Sequence, residues 1–158
     1  QTVCQQAQMA EADRSRFLAS FTANPTTTLV GFALLGGIFS EGIDLKADRL
    51  IGVGIVSVGL PGINPETNLL RDYFDERSHQ GFAFAYQLPG LNNVFQAAGR
   101  LIRGSHDVGV ILLMDQRFAS PRYTQLYPSH WQHFQRLYRP EQLSSAIHDF
   151  WHQEALSE

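Results

Sequence analysis

Cys4 stands alone in this sequence, so the chain cannot build an internal disulfide or a cysteine-held metal or iron–sulfur cluster. A single cysteine suits a reducing, cytosolic setting. Lysine is equally scarce: Lys46 is the only one, against eleven arginines. Arginine is favoured where a planar fork grips phosphate or carboxylate, although genome composition produces the same bias. No apolar run approaches the ~20 residues of a membrane-spanning helix; the longest is Leu50 to Leu60. Gln1 opens into polar sequence rather than a charged and then apolar leader, so no signal peptide is expected, and the abrupt start reads as a piece of something longer. The net charge of −3 provides no broad attraction for nucleic acid, so any such contact must be local or shared. The G-x-x-x-x-G-K-[ST] phosphate cradle is also missing, so no Walker-type phosphate loop is expected in this chain.

What is present is an ordinary globular composition, 44% hydrophobic and 17% charged over 158 residues, enough for one core-forming domain. Thr2 to Cys4 reads as a short strand, and Phe17, Leu18 and Phe21 mark an amphipathic helix within Met9 to Phe21. Leu29 to Leu35 and Leu50 to Val58 are nearly continuous apolar runs, the pattern of strands buried on both faces. Asn64 and Pro65 make an N-cap and first turn for a helix whose expected buried stripe is Leu69, Leu70, Tyr73 and Phe74. A further helix is predicted from Leu91 to Arg103, stopping at Gly104, and a third apolar strand from Val108 to Met114. Leu143, Ala146, Ile147, Phe150 and Trp151 fall on one face of a last helix. Strands alternating with helices predict an α/β domain on a mostly parallel sheet. We expect a single domain over residues 1–158, with 121–158 as a peripheral C-terminal extension that begins irregularly between Pro121 and Pro140.

Two places carry chemistry. On the predicted helix, Gln96, Arg100 and Arg103 are spaced i, i+4, i+7 and project from one narrow face, with Leu91, Val94, Phe95, Ala98 and Ile102 opposite. Two neighbouring guanidiniums repel each other unless an anion stands before them, and a phosphate fits their forked donors. The plainer reading is a solvated face with surface ion pairs. The second place is Gly36-Gly37-Ile38-Phe39-Ser40-Glu41-Gly42-Ile43-Asp44, a glycine-rich loop after an apolar strand. Such a loop lets backbone N–H groups approach an anion, and ligands in parallel sheets bind at that end of the strands. A tight turn with Ser40 as a helix cap explains the same residues.

Taken together and in this order, the two segments resemble motifs V and VI of superfamily 2 helicases of the Rad3 group, which includes DinG, YoaA and XPD. Gly37 to Asp44 is similar to motif V, and Gln96-Ala97-Ala98-Gly99-Arg100-Leu101-Ile102-Arg103 to motif VI. Gly59-Leu60-Pro61, Asp115-Gln116-Arg117-Phe118, Pro121-Arg122-Tyr123 and Pro128 to Trp131 extend the similarity, which runs from about Met9 to Trp131 and fits the bacterial DinG/YoaA branch best. The resemblance implies a RecA-like, P-loop NTPase-type second motor domain and a bacterial cytoplasmic setting. It also implies an ATP and Mg²⁺ site shared with the protein's own N-terminal helicase domain, and an iron–sulfur cluster, where present, in that other domain. By the same resemblance Arg103 is the arginine finger, Arg100 a second phosphate contact, and Gln96 a holder of the nucleotide or its water. Glu41, Gly42 and Asp44 would line the ribose and phosphate side, and Gly37 to Ser40 would link that cleft to single-stranded or forked DNA. The implied activity is ATP-driven 5′ to 3′ helicase movement by the parent; a degenerate, non-catalytic binding module is the alternative.

Other signals are weaker. His148 and His152 at i, i+4 could take zinc, but no third ligand stands nearby in sequence; His130 and His133 are no better placed. Gly52-Val53-Gly54 lacks the third glycine of a dinucleotide fingerprint and fits inside a strand. Phe82, Phe84 and Tyr86 alternate in period two, which predicts a half-buried edge strand or, less commonly, a base-stacking surface.

Overall fold

The structure, a computed structural model, describes residues 1–39, 45, 49–103 and 107–156. It divides into two compact units, Gln1–Asp115 and Gln116–Glu158.

In the first unit the chain runs β1 (Thr2–Cys4), α1 (Glu11–Ala19), β2 (Val30–Phe32), β3 (Gly52–Val56), α2 (Pro65–Ser78), a π-helical turn (Ala83–Gln87), α3 (Leu88–Ala98) and β4 (Val110–Met114). Both strand pairs are parallel. β1 pairs with β2 from Thr2↔Val30 to Cys4↔Phe32, and β3 pairs with β4 from Gly52↔Val110 to Val56↔Met114. This is the α/β architecture that the alternating pattern predicts, with Gly52 and Gly54 inside a strand.

The strands are less covered than their composition suggests. All three residues of β2 are exposed, and in β3 only Val53 and Ile55 turn inward while Gly52, Gly54 and Val56 face out. Each strand has a single hydrogen-bonded neighbour among the described residues, and the apolar run of β3 packs on one face rather than two. The packed face of β3 meets α3, with Ile55, Val58, Leu91, Val94 and Ala98 buried around that contact. Near α1, Phe17 stacks on Phe39 at 4.4 Å.

α2 begins as its sequence dictates, with the Thr67 N–H donating to Asn64 Oδ1 at 2.8 Å and Pro65 in the first turn. The expected buried stripe is a correction: Leu69, Leu70 and Tyr73 are exposed, and Phe74 is half-buried against Phe84 at 4.3 Å. Polar contacts join this stacked pair. The Tyr86 hydroxyl donates to Asn68 Oδ1 at 3.0 Å, and the Gly81 N–H donates to Asp75 Oδ1 at 2.6 Å.

Phe82, Phe84 and Tyr86 form no edge strand. They lie in helical backbone, where Phe82 and Tyr86 stack at 5.7 Å across one turn. The widened turn has a local cause. Pro89 has no N–H to give, and the Leu88 N–H just before it reaches back five residues to the Ala83 carbonyl.

In the second unit, a short 3₁₀ turn (Gln116–Ala119) leads to α4 (Pro121–Thr124), another 3₁₀ turn (Ser129–Trp131) and α5 (Pro140–Ala155). The Tyr127 hydroxyl donates to the Phe118 carbonyl at 2.8 Å, and Phe118, Tyr123 and Tyr127 are buried. Leu143, Ala146, Ile147, Phe150 and Trp151 all share the inward side of α5, as their spacing predicts.

Candidate nucleotide-binding and coupling site

The site is built around the C-terminal half of α3. Its expected extent is corrected: the helix ends at Ala98, with Gly99 as its cap, rather than running on to Arg103. Gln96 is therefore exposed on the last helical turn, whereas Arg100 and Arg103 lie beyond it, half-buried and exposed respectively. The three do not share a helix face.

The physical reason lies in Leu101. Arg100 and Leu101 donate backbone bonds to Ala97 and Ala98 at 3.2 and 3.0 Å, a tightened turn that closes the helix. Leu101 is then buried against Gly109, where a Cβ would come within 2.7 Å of its Cδ1. That anchor draws the chain off the helix axis and fixes the backbone between the two arginines. Ile102, expected on the apolar side, is exposed, and the Arg103 N–H donates to Asp107 Oδ2 at 2.8 Å.

Ser40, Glu41, Gly42 and Asp44 lie outside the described residues, as does Gly104. Gly37 is half-buried in the turn after β2 and donates its N–H to the Leu34 carbonyl at 3.1 Å. Gln5 holds the other side of this turn, its Oε1 accepting from the Leu34 N–H at 2.9 Å. The structure brings the turn against α3: a Cβ on Gly36 would stand 3.2 Å from Asn93 Nδ2. Asn93 precedes Gln96 by one turn, so the opening of the glycine-rich loop and the Gln96 end of α3 are neighbours.

Sequence reasoning passed over the residues that make this contact. Ser57, just past β3, adopts a left-handed φ of 71°, uncommon for a residue with a side chain. Gly90 packs so closely on the end of β3 that a Cβ there would lie 2.7 Å from the Val58 carbonyl. Gly59 is flagged by its place in Gly59-Leu60-Pro61, but nothing in the spacing of Gly90 or Asn93 announces a tertiary contact.

A description of the helicase C-terminal domain matches residues 1–134 of this chain. The chain belongs to that family, in its Rad3/XPD-like form. It is 33% identical over 126 residues to a homolog of regulator of telomere elongation helicase 1 from Oryza sativa subsp. japonica, covering 73% of this chain and 12% of that relative. It is also 33% identical over 98 residues to a probable ATP-dependent helicase of Methanocaldococcus jannaschii, covering 56% of this chain and 15% of the archaeal protein. The chain thus spans only 12% and 15% of the lengths of these two relatives. Among solved structures, an apo XPD chain superposes with a TM-score of 0.62 at 20% identity, covering 78% of this helicase domain and 25% of its own length. That likeness establishes the RecA-like α/β fold. Among the described residues no group of three or more His, Cys, Asp and Glu could hold a metal ion, and no helix is long and apolar enough to cross a membrane.

Proposed function

We propose that this helicase C-terminal domain is the second motor domain of an ATP-dependent DNA helicase of the bacterial DinG/YoaA branch, working 5′ to 3′ with its own N-terminal helicase domain. In this reading Arg103 is the arginine finger, Arg100 a second phosphate contact, and Gln96 orients the nucleotide or the attacking water. Glu41, Gly42 and Asp44 line the ribose and phosphate side, while Gly37 and Ser40 open the path to a single-stranded or forked DNA. The observation that carries the reading is the turn after α3. Two guanidiniums flank a buried leucine, so their backbone is anchored while exposed Arg103 points from a surface.

The donor set fits a triphosphate. Developing charge on the transferring phosphoryl group is stabilised by positioned cationic forks, and a finger is worth roughly 10³–10⁵ in rate. The carboxylates for Mg²⁺ and the phosphate-cradling loop belong, in this reading, to the other motor domain, because this chain has no Walker-type lysine. Any iron–sulfur cluster belongs there as well, since Cys4 is the sole cysteine.

The test is the single-stranded-DNA-stimulated ATPase of the full-length protein with Arg103→Ala beside it. The variant is expected to lose about a hundredfold or more in kcat, roughly 2.7 kcal/mol of transition-state stabilisation. Unimpaired hydrolysis by the variant would remove Arg103 from the site. A full-length protein that never hydrolyses ATP would make the domain a binding module.

A further inference from the structure

The turn after β2 and the turn after β3 both contain a left-handed glycine, Gly36 at φ 74° and Gly59 at φ 65°. One side chain of α3 touches both. Asn93 Nδ2 lies 3.2 Å from where a Gly36 Cβ would stand, and Asn93 Cβ lies 3.6 Å from where a Gly59 Cβ would stand. The same amide donates a long hydrogen bond of 3.5 Å to the Gly59 carbonyl. Asn93 is half-buried and sits one turn before Gln96. Glycines bring no side chain of their own to fix a turn, so a neighbour that fills the empty Cβ space sets where the turn rests.

We propose that Asn93 is a positioning residue that holds the Gly36–Gly37 turn and the Gly59 turn against α3, so that a displacement of the loop on the DNA side is passed to Gln96 and the arginines beyond it. The proposal rests on the functional reading above. Asn93 lies outside the segment that resembles motif VI and is assigned no contact with nucleotide or DNA. Its role is to make two loops and one helix move as a single element. A contact through which both sites bias one element is the physical requirement for coupling.

The experiment compares the full-length protein with Asn93→Ala and Asn93→Leu, measuring ATP hydrolysis with and without an oligo(dT) strand. Leucine keeps the branched outline of asparagine with bulkier methyl ends and loses the amide, whereas alanine loses both. The ratio of DNA-stimulated to unstimulated kcat is expected to fall at least about fivefold in both variants, the lower end of ordinary coupling between sites. KM for ATP should move by less than about twofold, because no nucleotide contact is removed. If alanine destabilises the fold, the leucine variant decides. An unchanged ratio would overturn the proposal. So would equal losses with and without DNA, the mark of a merely structural residue. If the unsubstituted protein is not stimulated by DNA, the functional reading itself fails, and the proposal falls with it.

Discussion

Gly90 shows how a single residue can be governed by its contact rather than by its element. In a helix interior, glycine is ordinarily less favourable than alanine by roughly 1 kcal/mol, so a glycine-to-alanine change usually helps. Here an alanine Cβ would meet the Val58 carbonyl at 2.7 Å and the Gly59 backbone at 3.1 Å. That backbone cannot yield cheaply, so Gly90→Ala should destabilise the first unit by about 1–3 kcal/mol, the usual range for overpacking. Chemical denaturation of the variant against the parent checks the sign. A gain in stability would mean that α3 and β3 are not packed this closely. The same contact explains why the site was only partly legible. Gln96, Arg100 and Arg103 stand out as residue types with a phosphate chemistry. Gly90 and Asn93 matter through what they touch, which no local spacing encodes.

The helices repeat that lesson one level up. The start of α2 and the inward face of α5 could be read directly, because caps, prolines and a 3.6-residue period act locally. The end of α3 could not. Its apolar period continues to Ile102, and only the tertiary anchor of Leu101 shows that the helix has closed at Gly99. The exposed flank of α2 failed for a related reason, since the Phe74–Phe84 stack and hydrogen bonds from Tyr86 and Gly81, rather than burial of Leu69 and Tyr73, are its contacts with the segment that follows. In the second unit a similar tie holds α4. Burial pushes the Tyr127 phenol up to about 12, opposed in part by the Arg136 charge. A phenol harder to ionise when folded than when unfolded supports stability fully below about 10, its unfolded value. That support is lost as pH rises through the folded value. Unfolding of this unit followed by circular dichroism should therefore show weakening between roughly pH 10 and 12. Tyr127→Phe should be less stable at neutral pH and show a flatter alkaline profile; an unaltered profile would contradict the burial of that hydroxyl.

At the scale of the molecule, the fold class was accessible because alternating strands and helices leave few architectures, and the solved XPD chain bears out the RecA-like one. How thoroughly the strands are covered was not accessible, because an apolar run looks alike whether one face is packed or two. The described residues carry donors for phosphate in Arg100, Arg103 and Gln96, yet no cluster of carboxylates for a metal. The sequence adds no phosphate-cradling lysine. In the function proposed above, these residues supply one half of a nucleotide site and the other half comes from elsewhere. The most direct measurement is ATP turnover by this 158-residue chain alone, run beside the full-length protein with single-stranded DNA present. The account predicts no turnover above background and only weak, unsaturated ATP binding by the chain, with clear hydrolysis by the full-length protein. Saturable ATP hydrolysis by a clean preparation of the chain alone would contradict a shared site.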